Sequence, residues 1–178
     1  MPTPILINIA QRILPNYYLN RLKKIKYLHA INLILETDRP LLKKTYWLNI
    51  CDKNTPIMSL VQHTNFINKK YFNNKHVLYI ANYVDDGDKL LKMTDKEVLN
   101  YFLPYLKKIN KMFHVTCYTL HVFRFAQPLF TKEFIKNKPE FITPLKNFYI
   151  ANLDMTYPFD RGINYAVKLG KKIAGFFK

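Results

Sequence analysis

The hydrophobic pattern of the chain changes period several times. In "KYLHAINLILETD", residues 26–38, apolar, aromatic and β-branched positions run together as far as Asp38 and Pro40, which predicts a strand. "KKTYWLNIC", residues 43–51, predicts a second strand, and the turn-rich stretch from Asp52 to Pro56 closes it. "IMSLVQHTNF" (57–66) and "HVLYIANYV" (76–84) predict two more, parted by the polar residues from Asn68 to Lys75. Such spacing describes a meander of about four strands.

Helical patterns flank these strands. Residues 4–14 and 15–24 predict two short helices, the second opened by Pro15 and closing on basic residues suited to a helix C-terminus. Thr94 and Glu97 form a capping box before Val98, Leu99, Phe102, Leu106 and Ile109, which share one helical face, and Pro104 bends that helix. "HVTCYTLHVFRF" (114–125) returns as a long strand, and an irregular, Pro-marked stretch runs from Gln127 to Pro144. "NFYIANL" (147–153) has the nearly continuous apolar run of a strand buried on both faces. A closing helix starts near Asp160 and gathers Ile163, Ala166, Val167, Gly170, Ile173 and Ala174 on one narrow face suited to close packing. The fold class is α+β.

Composition supports a folded core. With 178 residues, 49% of them hydrophobic and 15% aromatic, the chain fits one globular domain, and thirteen Tyr with thirteen Phe argue against disorder. No window carries the ~18 uninterrupted apolar residues of a membrane span, and the N-terminus lacks the order of a signal peptide, so a cytoplasmic protein is expected. Cys51 and Cys117 lie in apolar, strand-like runs, which predicts buried reduced thiols; no zinc spacing exists.

The net charge of +16 comes mostly from lysine in scattered pairs, which favours a solvated basic surface over a dedicated nucleic-acid site. Interleaved Lys, Tyr and Phe keep a basic single-stranded nucleic-acid-binding module as a rival reading. The same surface permits peripheral membrane contact.

Candidate chemistry concentrates in "NLDMTYPFDRGINYAVKLG", residues 152–170, which holds two of the four glycines. A helix starting at Asp160-Arg161-Gly162 offers backbone N–H groups to a phosphate or polyol, with no Cβ at Gly162 to block approach. Ordinary capping by Asp160, with Gly162 incidental, accounts for the same residues. In "QHTNF" a strand would put His63 and Asn65 on one side and Gln62 and Thr64 on the other. His63 is read either as a hydrogen-bonded structural histidine or as a proton carrier. Arg124 and Arg161 suit bidentate binding of a carboxylate or phosphate. His29, His76, His114 and His121 have no metal-like spacing, and no G-x-S-x-G, H-E-x-x-H or Walker motif occurs.

"YWLNICDKNTP", "QHTNF", "HVLYIANYV", "FAQPLF" and above all "TPLKNFYIANLDMTYPFDRGINYAVKLGKKIA" resemble the C-terminal half of the FAD-dependent amine oxidase and protoporphyrinogen oxidase-like superfamily. The resemblance runs from about Pro2 onward and is most specific in the last block. It implies a mainly antiparallel substrate-domain sheet with flanking helices, plus a terminal strand–helix unit of an FAD-binding domain. Residues 1–142 would then be a substrate-binding region, and 143–178 the strand, loop and helix facing the cofactor.

Carried over by position, the resemblance makes Asp154 a ligand of the polar chain of FAD. Asp160, Arg161, Gly162, Ile163 and Asn164 become the turn whose main-chain N–H groups meet the flavin, and Ala166 and Gly170 small packing positions. Asn152 stands where many members have Gly, and Tyr165 where many have a small residue. His63, Asn65 and Arg124 fall where a small-molecule substrate would bind, and Tyr157 beside the flavin-facing loop is read either as a packing residue or, with His63 and Asn65, as a catalytic candidate. The implied activity is hydride transfer from an organic substrate to FAD, with a UDP-galactopyranose mutase-like flavin-dependent isomerase as the alternative.

The superfamily's main dinucleotide grip, G-x-G-x-x-G, needs glycines this chain does not have: Gly occurs only at 87, 162, 170 and 175. The expectation is a chain inactive alone, a relic or half of a split enzyme whose N-terminal FAD-binding part lies on a separate chain.

Overall fold

The structure, a computed structural model, describes residues 1–177; the expected cofactor-facing segment 143–178 thus ends one residue outside it. Tertiary packing separates two compact units, one formed by residues 1–27 with 125–178 and the other by residues 28–124.

The second unit is built on a sheet. Its strands are β1 (Tyr27–Thr37), β2 (Trp47–Asn49), β3 (Ser59–Gln62), β4 (His76–Val84) and β5 (Cys117–Pro128), in the order β2-β3-β4-β1-β5. β2, β3 and β4 form the expected antiparallel meander, but β1 pairs β4, with Leu33 opposite Ile80, rather than β2. Burial explains the order. β1 alternates buried and half-buried residues along its length, as a central strand does, whereas the three residues of β2 are mostly exposed and sit at the edge. Ile31, Leu33 and Leu35 of β1 pack with Leu60, Leu78 and Ile80. Helix α3 (Asp95–Ile109) adds Val98, Phe102 and Leu106 to this core. The capping box at its start forms: Glu97 N–H donates to Thr94 Oγ1 and Thr94 N–H to Glu97 Oε2. Ile109, expected on the apolar face, is 44% exposed at the helix end.

The first unit holds helices α1 (Thr3–Ala10), α2 (Asn16–Leu22), α4 (Lys132–Asn137) and α5 (Ile163–Ala174). Leu6, Ala10, Leu14, Leu19 and Leu22 pack with Tyr27, Phe134 and Ile150 in a second core. α4 falls in the stretch expected to be irregular; Thr131 caps it by accepting the N–H of Phe134.

Three expectations need correction. The strand read over 147–153 shrinks to one bridge between Tyr149 and Ile142, because within this unit only the short 141–143 segment offers its backbone alongside. The strand read through residue 66 stops at Gln62, and His63–Asn65 turn as a 3-10 helix. Cys51 and Cys117 are exposed free thiols, since the runs that carry them are edge or surface segments.

Candidate functional site

Asp154 is the most buried of the candidate cofactor, substrate and catalytic residues, with no exposed surface. It lies on a 3-10 turn, Leu153–Thr156, between the bridge at Tyr149 and α5. Its Oδ2 accepts from Tyr27 Oη, Thr3 Oγ1 and the Thr3 N–H, the last at 3.3 Å. Asn152 joins through Nδ2, which donates to Thr3 Oγ1 at 2.9 Å. Burial first, then the negative charge of Asp154, pushes the Tyr27 phenol well above its ordinary 10.0. Sequence reading missed Thr3 and Tyr27 because nothing local links them to a residue 151 and 127 positions away. Buried polar residues on otherwise apolar elements were the available signal.

Two acceptors stay unmatched in this network: Asp154 Oδ1 and Asn152 Oδ1 are buried and have no hydrogen-bond partner among the described residues. Asn152 also borders a cavity of about 260 Å³, lined further by Ala151, Gly162, Ala166, Leu169 and Gly170. The small residues on α5 noted as packing positions therefore flank open space.

The start of α5 differs from its expectation. Gly162, extended at φ −162°, is the N-cap and no side chain caps the helix; Asp160 instead accepts the N–H of Arg161 at 2.7 Å. A Cβ on Gly162 would fall 2.5 Å from Asn164 Oδ1, the tip of an exposed side chain that can turn away, so the turn admits other residues. Ile163 is 86% exposed and no residue of α5 is buried. The Arg161 guanidinium donates to the Ala126 carbonyl. Tyr157 is held in an aromatic cluster with Phe130 and Phe134, at ring distances of 5.1 and 5.6 Å.

The remaining candidates belong to the other unit. His63 meets Phe72 and Tyr79 edge-on at 5.3 and 5.4 Å. Asn65 donates its amide to the carbonyls of Leu42 and Thr45, so that side chain fastens the chain before β2 to the turn after β3. Arg124 is exposed at the end of the unit. Among the described residues no cluster of His, Cys, Asp or Glu could hold a metal ion.

The residues around the cavity fit part of a flavin dinucleotide. Hydroxyls of a polyol chain are donors and complement the unmatched acceptor of Asn152, the one of the two whose residue lines the cavity, and an uncapped helix N-terminus suits a phosphate. The cavity is smaller than the ~300–1,000 Å³ that encloses a whole ligand, so only a portion fits.

The profile described as flavin containing amine oxidoreductase matches residues 5–174. No curated protein sequence matches the chain. A solved protein of Exiguobacterium sp. 255-15, assigned as a protoporphyrinogen oxidase, is similar over 99% of this chain and 39% of its own, with 12% identity and a TM-score of 0.69. An oxidoreductase from Methanosarcina mazei is similar over 83% of this chain and 35% of its own (15% identity, TM-score 0.60). Reduced UDP-galactopyranose mutase is similar over 66% and 26% (12% identity, TM-score 0.54). The chain thus spans about two-fifths or less of each of these structures.

Proposed function

The chain belongs to the flavin-containing amine oxidoreductase family, and from that premise we propose that it forms the substrate-facing and last flavin-facing part of an FAD-dependent oxidoreductase. The observation that carries this reading is the pair of buried, unmatched acceptors, Asp154 Oδ1 and Asn152 Oδ1, with Asn152 on the small-residue cavity beside α5. Bound FAD would supply the redox chemistry by accepting a hydride from a C–N or C–C bond of the substrate.

The residues of the chain position and shield. Thr3 and Tyr27 hold one carboxylate oxygen of Asp154, which fixes the turn next to Asn152 on the cavity wall, while Oδ1 stays buried behind it. Asn152 Oδ1 would accept from a hydroxyl of the cofactor, and the N–H groups following Gly162 would serve its phosphate portion. On this reading Asp160, Arg161, Ile163 and Asn164 shape that turn; Tyr157 is the substrate candidate of the same unit, and His63, Asn65 and Arg124 are those of the sheet unit. Residues 1–142 are the substrate-binding region, and the dinucleotide-binding loop comes from a separate chain or segment, without which turnover is absent.

The test is an FAD titration of the full chain followed by flavin fluorescence anisotropy, with Gly170→Leu as the comparison. Gly170 lines the cavity and nothing lies within 4 Å of a Cβ built on it, so the position accepts a side chain and leucine adds bulk at the cavity wall. Saturable binding that weakens about tenfold or more in Gly170→Leu, with circular dichroism unchanged, is expected. Absence of saturable binding, or equal binding by the variant, overturns the assignment of this cavity.

A further inference from the structure

Three of the exposed aromatic residues of the sheet unit form a cluster. Tyr46, Trp47 and Phe66 lie together, with ring centroids 5.2 Å apart for Tyr46 and Phe66 and 6.5 Å for Tyr46 and Trp47. They are 38%, 54% and 71% exposed. The support beneath them is rigid: the N–H groups of Leu41 and Leu42 donate to Gln62 Oε1, and Asn65 donates to the carbonyls of Leu42 and Thr45. Trp47 satisfies its own indole N–H on Asn49 Oδ1 at 2.8 Å, so burying its ring strands no donor.

Charge gathers on the same stretch of sequence. Residues 39–75 carry seven Lys or Arg (39, 43, 44, 53, 69, 70, 75) against one acidic residue, Asp52. The rest of the unit, residues 28–38 and 76–124, carries seven of each, so its whole excess of +6 sits on the segment that bears the exposed rings. Lys43, Lys44, Lys69 and Lys70 are all exposed, and Lys70 lies 5.0 Å from the centre of the Tyr71 ring, itself 70% exposed.

We propose that this ring cluster and its lysine rim dock the protein on the surface of an anionic bilayer. Aromatic rings with polar edges settle at the lipid headgroup level, and lysines beside them gain from the negative surface potential. Among the described residues no helix is long and apolar enough to cross a membrane. A single-stranded nucleic acid would need ring faces presented one by one along a cationic groove; here the rings lean on one another at 41° and 61° and form one apolar cluster. The inference stands apart from the flavin reading, because its residues and its readout are independent of the cavity beside α5.

Trp47 is the sole tryptophan, so its emission reports the patch directly. The full chain is titrated with vesicles of phosphatidylserine and phosphatidylcholine, and with phosphatidylcholine alone. A blue shift on the mixed vesicles only, suppressed by salt, is expected. The double variant Lys43→Gln/Lys44→Gln should weaken it about tenfold, and Lys107→Gln/Lys108→Gln, with the same charge loss on α3, less than about twofold. No shift on anionic vesicles, or equal weakening by both double variants, overturns the proposal. Quenching of Trp47 by a single-stranded oligonucleotide without a vesicle response also overturns it and makes the patch a stacking surface.

Discussion

Tyr27 donates its phenolic hydroxyl to the fully buried carboxylate of Asp154, joining the end of the N-terminal segment to the turn before α5. The contact gives Asp154 a role in the fold of its unit whatever else its second oxygen binds. Tyr27→Phe removes one donor to a charged acceptor and should cost about 1.5–3 kcal/mol in urea denaturation. Asp154→Ala should cost more, since it leaves the hydroxyls of Tyr27 and Thr3 buried without their acceptor. A loss of flavin binding in that variant would therefore report unfolding as readily as a lost ligand.

The same pair sets an alkaline limit. Burial and the Asp154 charge raise the Tyr27 phenol above 10.0, so its contribution to stability is complete below that pH and is lost as pH rises toward the folded-state value. Denaturation curves at about pH 9 and about pH 11 should show wild type losing more stability than Tyr27→Phe.

His76 sets an acid limit of the opposite sign. Burial first, then Lys69, lowers its imidazole below the ordinary 6.5, and Thr64 Oγ1 lies 3.1 Å from Nδ1. The unfolded chain takes up the proton more readily, so stability present above 6.5 is lost as pH falls through the lower folded-state value. His76→Gln should flatten the stability profile between about pH 7 and pH 5.

Helix α3 should respond in two graded steps. Thr94→Ala removes the cap and costs about 1 kcal/mol, whereas Phe102→Ala empties a fully buried site and costs about 3–5 kcal/mol. Similar losses for the two would show that the helix is not held by its core face.

Cys51 and Cys117 should both react with Ellman's reagent in the native chain at rates close to those in denaturant. Protection of either until unfolding would restore the buried-thiol expectation.

Legibility in the sequence followed the range of the physics involved. β4 occupies the predicted residues 76–84, and the capping box of α3 forms as read, because strand alternation and helix caps are written within a few neighbouring residues. The last block carried the family signal, and the family profile matches nearly the whole chain. The candidate site was harder to read. Asp154 and Gly162 could be named, but not the Thr3 and Tyr27 donors, since a hydrogen bond across 127 residues leaves no local pattern.

By itself the sequence determined the α+β class, most strands and helices, the basic surface and the family, all of which depend on local periodicity or on short motifs. Tertiary structure decided the rest. It placed β1 between β4 and β5, because only packing ranks strands by burial. It reduced the strand at 147–153 to one bridge, because a strand exists only where another backbone runs beside it. It also left two buried acceptors without partners and drew three exposed rings into one cluster, since satisfaction and exposure belong to the folded chain.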